Sequence, residues 1–83
     1  MALSAAELAR IRREVEEVSA PYGIGIYGID LLPDEAGGGA AVNLLLPEGM
    51  APDHETCIQV RDRLEQIPGV KAVFVVTAVK SQS

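Results

Sequence analysis

Hydrophobic positions near the start of the chain recur at intervals of three and four: Leu8, Ile11, Val15 and Val18 form one stripe, while Arg10, Arg12, Arg13, Glu14, Glu16 and Glu17 occupy the remaining surface. This is the period of an amphipathic helix with one face turned to a core. Ser4 followed by Glu7 fits a capping box, and Leu3 and Leu8 stand at the two positions of a hydrophobic staple, so the helix starts there. Pro21 ends it.

Residues 24–32 have strand character but change phase, since Ile24 and Ile26 share one parity whereas Ile29 and Leu31 fall on the other. Gly28 marks the expected bulge. A polar connection, Pro33-Asp34-Glu35-Ala36-Gly37-Gly38-Gly39, then leads to a second strand over residues 41–46, which makes a hairpin with a loose tip. The three glycines do not read as a phosphate loop, because no Lys-Ser or Lys-Thr pair follows and the next element is a strand. A turn that needs positive φ explains them.

The second helix is expected over residues 52–67, with Pro52 at its first position, Asp53 and Glu55 in its first turn, and Cys57, Val60, Leu64 and Ile67 as its apolar stripe. Pro68-Gly69 turns the chain into a third strand over residues 70–79. Its alternation sets Val70, Ala72, Phe74, Val76 and Ala78 on one face and Lys71, Val73, Val75, Thr77 and Val79 on the other. The pattern therefore predicts an α+β fold, a small two-layer α/β sandwich ordered helix-strand-strand-helix-strand, whose three-stranded mixed sheet carries both helices on one face. Val73, Val75 and Val79, with Leu45, are the apolar residues left over for the uncovered face, and they are the expected interaction surface for a protein partner or a second copy.

Composition narrows the picture. Eighty-three residues make one domain, residues 1–83, close to the size at which a single core only just offsets conformational entropy. With only three aromatics among 48% hydrophobic residues, the core must come from Val, Ile, Leu and Ala. A net charge of −5, with acidic residues interleaved among the arginines, repels phosphate backbones and anionic lipid, so neither nucleic acid nor membrane is an expected partner. No apolar run approaches a bilayer span, and Met1-Ala2-Leu3-Ser4 leads into a charged helix without the pattern of a secretory signal. A cytoplasmic location is expected, and the single Cys57 suits a reducing compartment.

His54 and Cys57 are the two soft ligands in the chain, three residues apart on one helical face. One chain cannot close a tetrahedral site with them, but a dimer could supply two of each, so a metal or iron-sulfur cluster bridging two copies is a candidate. The competing reading is that Cys57, at the start of an apolar stripe, is a small core residue and that His54 caps the helix or faces water. No nucleophile-base pair is evident, since Ser4, Ser19, Ser81 and Ser83 lie at caps or termini. Tyr22 and Tyr27 flank the entry to the first strand, where they could line a small pocket or complete the edge of the core. No enzyme is expected, and no resident cofactor.

Pro21 before the first strand, the strand end Leu44-Leu45-Leu46-Pro47, and Leu64-Glu65-Gln66-Ile67-Pro68-Gly69-Val70-Lys71-Ala72-Val73, in this order of elements, resemble the iron-sulfur assembly domain of SufT and PaaD. The closing stretch from Pro68-Gly69-Val70 through Val76-Thr77-Ala78 is most similar to the N-terminal domain of Mrp/ApbC-type P-loop ATPases, which carry iron-sulfur clusters. The likeness spans roughly residues 8–79, through short motifs. In the assembly branch an Asp-Pro pair precedes the first strand and a reactive Cys-Pro pair opens the second helix. Here the pairs are Ala20-Pro21 and Ala51-Pro52, and Cys57 lies too far along the helix to replace the missing thiol.

The resemblance thus implies a noncatalytic interaction or adaptor domain serving iron-sulfur cluster assembly or carriage, with a P-loop ATPase as partner or fused domain. Two other readings of the residues remain beside it: a small-ligand or metal-sensing domain built around His54 and Cys57 of two protomers, and a plain homodimerisation module.

Overall fold

In the computed structural model, which describes residues 4–77, the first helix, α1, spans Ala5–Ser19. Its start follows the expected capping chemistry: the Ser4 hydroxyl accepts the Glu7 N–H at 3.2 Å, and the Glu7 carboxylate accepts the Ser4 N–H at 3.4 Å. The staple residue Leu3 lies outside the described residues. Ile11 and Val15 are fully buried, with Val18 packed beside them. Pro21 falls in a 3-10 turn, Ala20–Tyr22, and the Ile24 N–H closes back on the Ser19 carbonyl.

Strands β1, Gly25–Leu31, and β2, Ala40–Leu46, pair antiparallel. The pairing slips between Ile26 and Gly28, and this bulge lets both Ile26 and Ile29 reach the core despite their odd separation. The tip between the strands is tighter than expected. It is a 3-10 turn, Asp34–Ala36, whose following N–H groups, Gly37 and Gly38, donate to the carbonyls of Asp34 and Pro33. Gly37, Gly38 and Gly39 all have positive φ, so the glycine triplet is turn geometry.

The second helix, α2, spans Glu55–Glu65, shorter at both ends than the expected residues 52–67. Pro52 does not occupy the first helical position. It sits in a turn closed by the His54 N–H on the Ala51 carbonyl at 2.9 Å, and His54 is the N-cap. At the other end Gln66 and Ile67 donate to Arg63 and Leu64, the tighter bonding of a terminating turn, and Pro68 cannot prolong the helix. Ile67 packs on the core from outside the helix. Arg10 of α1 ties this junction down: its guanidinium pairs with Glu14 and donates to the Pro68 carbonyl at 2.9 Å.

Strand β3, Val70–Thr77, pairs parallel with β2, giving the sheet order β1-β2-β3. Parallel neighbours need a crossover, which α2 supplies. Ala40, Val42, Leu44 and Leu46 of the central strand turn one face toward Ile11 and Val15 of α1 and Cys57, Val60 and Leu64 of α2. The fold is therefore α+β, two layers, with both helices on one face of a mixed sheet. Among the described residues, no helix is long and apolar enough to cross a membrane.

Candidate functional site

The face of the sheet without helices is where the fold leaves apolar surface uncovered. The pairings stack it in three rows: Asp30, Ala41 and Ala72; Gly28, Asn43 and Phe74; Gly25, Leu45 and Val76. Phe74 is 56% exposed and Leu45 37%, while Tyr27, at the β1 bulge, is 67% exposed. Gly25, Gly28 and Ala72 leave low ground between these side chains, which suits close approach by a second packed surface, while Ala41 is itself only 3% exposed. One polar pair crosses this face: the Asn43 amide donates to the Asp30 carboxylate at 3.0 Å.

Of the four residues expected on this face, Leu45 is there. Val73 and Val75 are not, which corrects the sequence reading. Ala40 pairs with Val70 but Ala41 pairs with Ala72, so Lys71 is left without a partner and the parity of β3 inverts beyond it. Val70, Val73 and Val75 consequently all face the helices; Val73 is 6% exposed and Val75 packs against the core. Phe74 and Val76, assigned to the buried face by simple alternation, take the open one. Val79 lies outside the described residues.

His54 and Cys57 are placed for structural work. The His54 Nδ1 accepts the Thr56 N–H at 3.1 Å, satisfying one of the helix's first donors, and the imidazole is otherwise at the surface. Cys57 is fully buried in the core. A metal shared between two copies would require its sulfur to leave that core, and among the described residues no group of three or more His, Cys, Asp or Glu side chains is placed to hold an ion. Burial pushes the Cys57 thiol above its ordinary pKa, with the nearby Arg61 charge opposing.

Two measurements follow for Cys57. Substitution by alanine is expected to lower stability by about 1–2 kcal/mol, the loss of a small buried side chain, and the folded protein should label slowly with thiol reagents. Because the folded-state pKa is raised, the thiol's contribution to stability is complete below the unfolded pKa and is lost as pH rises through the folded one. Alkaline denaturation curves should show this fall in the parent and lack it in Cys57→Ala; equal slopes would contradict the assignment.

Tyr22 lines a cavity of about 300 Å³ with Gln59, Val60, Asp62 and Arg63, between the 3-10 turn and one flank of α2. Tyr27 is not part of it. The cavity is open, and most of its wall surface is apolar although Gln59, Asp62 and Arg63 border it. The open sheet face is the better candidate surface, since its exposed side chains include the largest apolar ones and one side of every strand contributes.

Comparison with known proteins adds no neighbour: no family model matches the chain, and no curated protein or solved structure does.

Proposed function

We propose that this domain is a noncatalytic adaptor that docks a protein partner on the open face of its sheet, in iron-sulfur cluster assembly or carriage. The observation that supports docking is the placement of Phe74 and Leu45, large and exposed, beside Gly25, Gly28 and Ala72 on the face without helices, with exposed Tyr27 at the adjoining bulge. A small domain gains nothing in stability from leaving an aromatic side chain on the uncovered side of its sheet, whereas a buried aromatic anchor is what interfaces use most. The pathway rests on the likeness of Pro21, Leu44-Leu45-Leu46-Pro47 and Pro68-Gly69-Val70 to the assembly-domain family, and the order of elements is in keeping with it. The alanines of Ala20-Pro21 and Ala51-Pro52, and the burial of Cys57, favour docking over cluster chemistry on this chain.

The test is binding to a purified P-loop ATPase of the iron-sulfur carrier type, followed by calorimetry. Phe74→Asp should leave the thermal transition close to that of the parent, because the side chain is exposed, yet weaken binding at least roughly tenfold, the scale of losing an interface anchor. The parent should also emerge from anaerobic cluster reconstitution and gel filtration without iron. Full binding by Phe74→Asp would remove the face from consideration, and a cluster surviving gel filtration would show that the domain itself carries cofactor.

A further inference from the structure

We infer that this chain self-associates through the edge of β3 that pairs with no other strand among the described residues: it pairs antiparallel with β3 of a second copy about a two-fold axis, while the outer flanks of the two α2 helices meet above the joined sheet. This surface differs from the docking face, and neither reading depends on the other.

The two edges of the sheet are not equivalent. β1 carries a bulge at Tyr27, glycines at positions 25 and 28, and Asp30, all features that discourage addition of another strand. β3 has its one bulge and its one charge together at Lys71. From there the edge runs Ala72-Val73-Phe74-Val75-Val76-Thr77 without a charge, proline or glycine. Such a run on a sheet edge offers a row of backbone donors and acceptors to another strand with nothing to deter pairing.

Symmetry then fixes what else must touch. A two-fold axis perpendicular to the sheet reverses strand direction, so β3–β3 pairing is antiparallel and both copies keep their helices on the same side. α1 packs on β1 and α2 on β3, which puts the two α2 helices next to each other across the axis. The flank of α2 bearing Gln59 and Arg63 faces Tyr22, on the side of α1, and Asp62, at the crest of the helix, borders that cavity as well. At 100° per residue the opposite flank carries Ile58, Arg61 and Glu65, on the side of the β3 edge, with Asp62 along its upper border at the helix crest.

That stripe is complementary to itself when reversed. Its apolar residue and its cation precede its two carboxylates, so in an antiparallel pair each Arg61 faces the partner's Asp62 and each Ile58 lies along the stem of the partner's Glu65. The same four residues border a depression of about 170 Å³, large enough to receive an aliphatic side chain. Among the described residues, Arg61, Asp62 and Glu65 make no hydrogen bond or ion pair through their side chains within one copy, and the Arg61 Nε is enclosed without a partner. A buried donor left unpaired is costly, and a partner carboxylate at the mouth of the depression would relieve it.

Sedimentation equilibrium of the whole chain tests the assignment. The parent should show a species of twice the 8.8 kDa chain mass that dissociates on dilution and weakens with salt, and hydrogen exchange at residues 72–77 should slow as concentration rises. Arg61→Asp should raise the dimer dissociation constant at least roughly tenfold, since it sets like charges opposite each other twice. Combining Arg61→Asp with Asp62→Arg exchanges the signs within the stripe and should restore association, a recovery that a purely structural role for Arg61 would not produce. Thermal melting confirms that each variant is folded; where Arg61→Asp is not, Ile58→Asp, at an exposed position, provides the same disruption. A chain that stays monomeric at high micromolar concentration, or a dimer indifferent to Arg61→Asp and Ile58→Asp, would overturn the proposal.

Discussion

Gly69→Ala is expected to lower the stability of the domain by about 2–4 kcal/mol, on the order of 10–20 °C in melting temperature. Two independent costs converge there. The backbone sits at φ +97°, where an L side chain is strained, and a Cβ would stand 2.8 Å from Cδ1 of Ile11. Ile11 is fully buried, so it has little room to retreat. The Gly69 carbonyl also accepts the Ala40 N–H at 2.8 Å, so any shift of the turn is passed to the start of β2. Gly37 is the control: its φ is +95° and nothing lies within 4 Å of its Cβ position. Gly37→Ala should therefore show the dihedral cost alone, about 1–2 kcal/mol, and equal losses in urea melts of the two variants would show that the contact with Ile11 contributes nothing.

Leu44→Ala should cost about 2–5 kcal/mol, the largest loss from removing a side chain's bulk. For a domain whose whole stability is about 4–12 kcal/mol at typical values per residue, that is a large share. Leu44 is fully buried on the central strand, opposite Ile26 on one side and Val75 on the other, so the collapse of neighbours into the void is constrained from both strands. Leu45, the next residue, points to the open face and pairs with Gly25 and Val76. Its replacement by alanine should cost no more than about 1 kcal/mol. A Leu45→Ala loss as large as that of Leu44→Ala would mean that the open face is already covered in the protein as studied.

The candidate site was only partly legible beforehand. Leu45 could be placed because β2 alternates without interruption, so parity along it survives from end to end. Phe74 and Val76 could not, because Lys71 drops out of the pairing and exchanges the faces of everything after it. In a strand apolar on both sides, no polar residue records the exchange. The clue available was the spacing of three from Val70 to Val73 across a charged residue, the pattern a bulge leaves when both flanking side chains must be buried. The flank of α2 was hidden for another reason. Arg61 and Glu65 look like ordinary surface charges until the packing of α2 over β3, the edge strand, places their helix beside a sheet edge.

By itself the chain determined the order helix-strand-strand-helix-strand, the capped start at Ser4, the bulge near Gly28 and the glycine turns, because hydrophobic period, capping and permitted backbone angles act over a few neighbouring residues. Tertiary structure decided the rest. It set the cap of α2 at His54 and its first residue at Glu55 rather than Pro52, and turned Val73 and Val75 inward while leaving Phe74 outside. Each of these depends on how strands register and where a helix can settle on them, and those choices are made by burial across the whole sheet, a free energy that no local run of residues contains.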